Sequence, residues 1–272
     1  TSGNLRSIDI SEFDTTPGSS AGQPVASAET ATVSSQPEAP NTGDACSDGS
    51  NSGSLQCGDG ADASGGASAT ALGDDAVASG DQSTAVGKNS EASGVFSTAV
   101  GEDADADALD TTALGNGADA TADTATALGG LAEASGSQST AVGQNAEASG
   151  ARSTAVGRVA VANANDTTAL GNGADAIAAD ATALGADAQA TGIEATAVGQ
   201  DAEASGDAST ALGEDAVADA TSTTALGNNA DATANNATAL GADAQASGVR
   251  TIAVGDESEA TADYAIALGG TA

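Results

Sequence analysis

The residues of this chain that could carry chemistry belong to few types. The 272 residues include no histidine and two cysteines, and 39 Asp and Glu residues face only five Lys and Arg. Histidine is the commonest general acid or base in enzymes, and no Ser or Asp is singled out here by its sequence context. The sequence therefore predicts that the protein is not an enzyme.

The two cysteines are Cys46 and Cys57, with ten residues between them. In a secreted chain such a pair favours an intramolecular disulfide. A metal pair or a redox couple is disfavoured because the chain has no histidine and no CxxC motif. We therefore predict a Cys46–Cys57 disulfide that caps the start of the repetitive region described below.

The acidic residues give the chain a net charge of -34. Nucleic acid and anionic membrane surfaces are excluded as partners, because phosphate binding needs Lys and Arg. Most acids lie in turns or alternate with Ala, which predicts a solvated face that binds Ca²⁺ or other cations diffusely. For a specific calcium site the sequence offers only weak candidates, Asp103, Asp105 and Asp107, which do not match EF-hand spacing. No other cofactor is predicted.

A strict repeat organises most of the chain. Glycine recurs every 14 residues from Gly73 to Gly269, preceded by Val or Leu and, two residues before, by Ala. Three residues before the glycine stands Thr, from Thr70 to Thr238, and then Ile. A fixed period of this kind is typical of solenoids, in which each coil packs on its neighbours. The repeat therefore argues against disorder, which the low hydrophobicity and high charge would otherwise indicate.

Each repeat has room for two short strands and two tight turns. The alternation places Thr and Val or Leu on one face of the strand and Ala on the other. A glycine at each corner suits a turn that requires positive φ. We predict an all-β fold, a parallel β-roll of about 15 coils with a narrow interior of Ala, Ser and Val, and a length on the order of 70 Å at about 4.8 Å per coil. The sequence leaves open whether the Thr and Val/Leu face points inward or toward a neighbour.

The predicted domains are an N-terminal arm or linker, 1–53, and the roll, 54–272. The arm holds all four prolines, so a flexible secreted linker is one interpretation. The other is a donor strand, because alternating apolar residues precede the prolines: Leu5, Ile8, Ile10 and Phe13.

The last coils are the most apolar, with Ile252, Val254, Tyr264, Ile266 and Leu268. A solenoid end exposes unpaired backbone groups, and strand addition at such an edge is a known mode of recognition. Head-to-tail contact that does not close generates filaments. We therefore predict a fibre in which the arm of one subunit completes the terminal coil of the next.

Threonine columns also suggest ice binding, but the residues two positions before each Thr form no second Thr rank. Two sequons, at Asn165 and Asn236, are near chance in a chain rich in Asn and Thr. Neither feature supports a function of its own.

Val-Gly or Leu-Gly followed by xxAxAxG every 14 residues resembles the YadA-like head of trimeric autotransporter adhesins, over residues 54–272. The resemblance implies a left-handed parallel β-roll, three rolls packed side by side, and a secreted, cell-surface role in adhesion to extracellular matrix or other cells. No coiled-coil heptads, apolar stretch long enough to span a membrane, or signal peptide are visible. The alternative to a fibre subunit is thus an excised trimeric adhesin head that binds host or matrix ligands.

Overall fold

The computed structural model describes residues 46–49 and 51–270, which fall in one compact unit. These residues form 31 β-strands and no helix. In chain order the strands are β1 (Ser47–Asp48), β2 (Leu55–Cys57), β3 (Thr70–Leu72), β4 (Val77–Ala78), β5 (Thr84–Val86), β6 (Glu91–Ala92), β7 (Thr98–Val100), β8 (Asp105–Ala106), β9 (Thr112–Leu114), β10 (Asp119–Ala120), β11 (Thr126–Leu128), β12 (Glu133–Ala134), β13 (Thr140–Val142), β14 (Glu147–Ala148), β15 (Thr154–Val156), β16 (Val161–Ala162), β17 (Thr168–Leu170), β18 (Asp175–Ala176), β19 (Thr182–Leu184), β20 (Gln189–Ala190), β21 (Thr196–Val198), β22 (Glu203–Ala204), β23 (Thr210–Leu212), β24 (Val217–Ala218), β25 (Thr224–Leu226), β26 (Asp231–Ala232), β27 (Thr238–Leu240), β28 (Gln245–Ala246), β29 (Ile252–Val254), β30 (Glu259–Ala260) and β31 (Ile266–Leu268).

The strands stack into two parallel ladders. Three-residue strands, β2, β3 and the odd-numbered strands β5 to β31, form the long ladder, and the even-numbered strands β4 to β30 form the short ladder. Equivalent residues of successive coils pair directly, so that Ala127 lies opposite Ala141 and Asp119 lies opposite Glu133. One coil is therefore a long strand, a turn, a short strand and a second turn. This confirms the predicted parallel β-roll with 14-residue coils.

The interior of the roll contains only small side chains. The central Ala of each long strand and both Ala residues of AxA lie inside, and Ala127, Ala132 and Ala134 are 0% exposed. The largest fully buried side chains are threonines, such as Thr111 and Thr167. The expectation that Val would line the interior is wrong, since the Val of each TAV strand faces outward. The two ladders lie close enough to leave room for little more than methyl groups between them.

The glycine after each long strand is required by both backbone conformation and packing. Gly129 has φ 140°, and a Cβ built on it would lie 2.5 Å from the carbonyl oxygen of Gly143 in the next coil. Residues with a side chain rarely adopt this φ. The 14-residue period of glycine thus follows from how closely one coil stacks on the next.

The glycine at the other corner has a different role from the predicted one. Gly136 lacks the positive φ expected there, and the left-handed residue of that turn is Gln138, with φ 61°. A Cβ on Gly136 would instead lie 2.0 Å from the carbonyl oxygen of Gly150. The left-handed residue of this turn stands two positions later, so positive φ is not what selects Gly136. Close stacking leaves no room for a Cβ at Gly136, whereas other coils have Ala at the equivalent position, as at Ala108.

The N-terminal end of the long ladder is covered by the chain itself. Strand β1 pairs antiparallel with β2, with Asp48 opposite Leu55. The disulfide between Cys46 and Cys57 joins the two strands, with their Cα atoms 4.2 Å apart. The predicted domain boundary after residue 53 therefore lies inside a hairpin, and Cys46 is part of the first edge of the roll.

Candidate functional site

The long ladder presents one continuous outward face, which we call the long face: the Thr and the Leu or Val side chains of its TAL and TAV strands. The Thr is partly buried in every such strand, whereas Leu170 and Leu212 are 40% and 41% exposed. Parallel register stacks each residue type on its equivalent, as for Leu170 on Leu184. The tertiary structure thus decides the orientation that the sequence left open.

The chemistry of the long face suits association. Its TAL and TAV strands carry no charged side chain, and strand dimensions make it roughly 10 Å wide and about 60 Å long. A continuous apolar stripe of this length is larger than most soluble monomers expose, which marks an interaction surface. The outward rank beside the Thr is Leu or Val, as at Leu170 and Val156, so the ladder carries no second rank of Thr.

The short ladder presents an acidic face. Directly paired residues on it form an acidic column, defined as Glu91, Asp105, Asp119, Glu133 and Glu147. Partial burial of the carboxylate and a hydrogen bond with Asp107 raise the pKa of Asp105 to about 7, with further contributions from Glu91 and Asp119. Burial also raises the pKa of Asp119. Burial first, and neighbouring like charges second, thus favour the protonated form of these carboxyl groups.

The three candidate calcium ligands do not converge. Asp103 lies in a turn and accepts a 2.9 Å hydrogen bond from Asn89, whereas Asp107 accepts one of 2.7 Å from Ser93. One carboxylate oxygen of Asp105 is buried without a hydrogen-bond partner. Across residues 46–49 and 51–270, no group of three or more acidic or cysteine side chains is placed to hold a metal ion. Diffuse cation binding stays a prediction.

The terminal coil residues predicted as an interface lie at the surface. Ile266 and Leu268 in β31 are 65% and 75% exposed, and Tyr264 lies in the turn that precedes them. Ile252 is also exposed, whereas Val254 is partly buried. Within the described part of the chain, β31 pairs on one side only, with β29.

The arm residues Leu5, Ile8, Ile10 and Phe13 lie outside the described residues. Within the described ranges, no helix is long and apolar enough to cross a membrane.

The sequence interpretation missed several exposed apolar residues, among them Val95 and Ile193 in the second turn of their coils and Leu131 and Val159 in the first. Leu131 and Val159 occupy the second residue of the turn after a long strand, with φ 56° and 53°. Most equivalent residues are Asp, Asn or Gly, as at Asp103 and Asn145. The signal was present in the sequence as two apolar residues in an otherwise polar column.

Comparison with known proteins agrees with this architecture. The profile of the YadA head domain repeat (2 copies) matches residues 59–90, 92–118, 120–146, 148–174, 176–202, 204–230, 218–244, 232–258 and 246–272. No curated protein sequence matches the chain. Among solved structures, the collagen-binding domain of the Yersinia adhesin YadA is 21% identical, with 66% of this chain and 69% of that chain covered and a TM-score of 0.29. Because the profile covers nearly all of the roll, the chain belongs to the YadA head-repeat family.

Proposed function

We propose that the chain is a non-catalytic adhesive head that assembles with copies of itself through the long face and presents its acidic surfaces to other cells or to extracellular matrix. The observation that carries this proposal is the outward, uncharged long face in a chain of net charge -34. Its area, roughly 10 Å by 60 Å or about 600 Å², approaches the ~800 Å² per partner of a standard interface.

A matched pair of substitutions tests the long face. Val156 points outward from the long ladder and Val161 from the short ladder, and both are partly buried. We expect Val156→Glu to convert the assembly to monomers, since symmetry would bring several unpaired carboxylates together in an apolar interface. Val161→Glu should leave the assembly intact, because Glu147 precedes it in the same column. Light scattering after size-exclusion chromatography gives the mass, and an unchanged mass for Val156→Glu would refute the proposal.

A second candidate is a fibre built head to tail. It is favoured by the exposed apolar side chains of β31 beside an edge that no described residue covers, whereas β1 covers the opposite end. In this proposal the arm strand with Ile8 and Ile10 adds to β31 of the next subunit. The two proposals are compatible, because they use different surfaces of the roll.

Deletion of residues 1–18 tests the fibre. We expect the deletion to abolish filaments seen by negative-stain electron microscopy, while the circular dichroism of the roll stays unchanged. A full-length protein in which Ile8 and Ile10 are replaced by Asp controls for the length of the arm and should behave like the deletion. Filaments that persist in both variants would rule out the arm as the joining element.

A further inference from the structure

The middle of the rod differs in charge from the part that precedes it. Residues 129–170 hold three acids and two arginines, whereas residues 73–128 hold eleven acids and one lysine. The contrast is sharpest in the first turn of each coil, the two residues that follow the period glycine. Five consecutive first turns contain no acid, and their residues are Asn116–Gly117, Gly130–Leu131, Gln144–Asn145, Arg158–Val159 and Asn172–Gly173. We call these ten residues the neutral patch.

The patch carries apolar residues in a strained conformation. Leu131 is 58% exposed and Val159 is 37% exposed, and both are left-handed. This region is unfavourable for bulky and especially for β-branched residues. The Asp and Asn residues found at equivalent positions tolerate it better. Backbone strain of this kind clusters at functional sites, although the second turn also holds left-handed residues of other types, such as Phe96 and Thr124.

The order of turns in the patch is nearly symmetric about its centre at Gln144–Asn145. Leu131 lies one coil before this centre and Val159 one coil after it. An Asn-Gly pair lies two coils before the centre and another lies two coils after it. A two-fold axis at Asn145 would place Leu131 of one rod on Val159 of an antiparallel second rod, and the reverse. Such a surface is self-complementary, which is what an isologous contact requires.

Gly130 supports this arrangement. It lacks the positive φ of its neighbour Gly129, and a Cβ built on it would meet nothing closer than the Asn116 carbonyl oxygen at 3.8 Å. The roll itself therefore does not require glycine here. Under the same two-fold axis, Gly130 faces Arg158 of the second rod, and its missing side chain leaves room for that guanidinium. The ion pair of the described chain uses Arg152 and Asp166 and leaves Arg158 free.

We propose that the neutral patch is a contact site between two copies of this chain, which cross antiparallel at the middle of the rod. Outside the patch most first turns contain an acid, and acid-free turns such as Lys88–Asn89 and Asn228–Asn229 stand singly between acidic ones. Repulsion between two rods is therefore weakest at the patch. Five turns at about 4.8 Å span roughly 19 Å, and a patch of that length and about 10 Å wide covers roughly 190 Å². This is far less than the ~800 Å² that each partner of a stable dimer buries. Each contact is therefore weak, and it gains strength when many rods face one another.

Cross-linking tests the site and its direction. Asn116→Cys protein is mixed with Asn172→Cys protein of different mass in the presence of a bis-maleimide, which leaves the Cys46–Cys57 disulfide untouched. We expect 116–172 cross-links in excess of 116–116 cross-links, with higher yield in salt that screens repulsion. In the matched control, Asn228→Cys protein is used in place of Asn116→Cys protein. The two positions are equivalent in their coils, since the side-chain amides of Asn228 and Asn116 donate to equivalent carbonyl oxygens at 3.3 and 3.2 Å. It should give only background.

The double substitution Leu131→Asp, Val159→Asp separates loss of contact from loss of folding. Asp already occupies this position at Asp103 and Asp215, so the variant should melt at the same or a higher temperature. Its 116–172 cross-link yield should fall by about tenfold or more, because apolar contacts become facing carboxylates. An unchanged yield would overturn the proposal, as would a predominance of 116–116 cross-links, which indicates parallel rods. If deletion of residues 1–45 abolishes the cross-links, the contact is made by the arm and not by the neutral patch, and the proposal is equally overturned.

Discussion

Gly129→Ala is expected to destabilise the roll severely, whereas Gly130→Ala, one residue further on, is expected to have almost no effect. The added methyl at position 129 would lie 2.5 Å from a backbone oxygen of the next coil, at a φ of 140° that alanine rarely adopts. Strain and overpacking each cost about 1–3 kcal/mol. At position 130 the methyl would be at least 3.8 Å from any other heavy atom, and φ is not positive.

The measurement is chemical denaturation followed by circular dichroism for both variants. We expect a loss of about 3 kcal/mol or more for Gly129→Ala, because a coil in the middle of a solenoid supports neighbours on both sides. Gly130→Ala serves as the control for adding a methyl group to the same turn. Equal stability of the two variants would show that the glycine period has a cause other than the stacking of coils.

The acidic column is expected to make the roll more stable as the pH falls from about 8 to about 5, the reverse of ordinary acid unfolding. The folded-state pKa of Asp105 is about 7, whereas an unfolded Asp titrates near ~3.9. The folded chain therefore binds this proton more tightly than the unfolded chain. The destabilising charge of Asp105 is fully present well above pH 7 and is half removed at the folded pKa of about 7. Below ~3.9 the unfolded chain binds the proton as well, so the stability gains nothing further. Raised pKa values of Asp119, Asp175 and Asp231 act in the same direction.

Thermal unfolding between pH 8 and pH 5 measures this effect. Asp105→Gln introduces the residue found at Gln189 in the same column, and it should raise the melting temperature at pH 8 while reducing the dependence on pH. Asp103→Asn removes one charge from the same coil at a turn where Asn89 occupies the equivalent place, and it should leave the pH dependence in place. A melting temperature that falls steadily from pH 8 to pH 5 would contradict the prediction.

The sequence by itself determined the fold class and the length of the coil. Gly129 and its equivalents recur every 14 residues, and the alternation of Thr, Ala and Val around them requires short strands. Because each coil contacts only its neighbours, a local pattern is enough to specify the whole roll. The Cys46–Cys57 disulfide could be predicted for a different reason, because the chain has two cysteines, which lie close together in the sequence.

Only the tertiary structure decided which face of each strand is inside. Alternation separates Thr126 and Leu128 from Ala127 but does not say which side is enclosed, and the answer depends on the distance between the two ladders. That distance admits Ala and excludes Leu, so the apolar residues of the long face lie outside. The neutral patch, too, is formed only in the tertiary structure, because Leu131 and Val159 become neighbours of Asn145 only when successive turns stack along one edge of the roll.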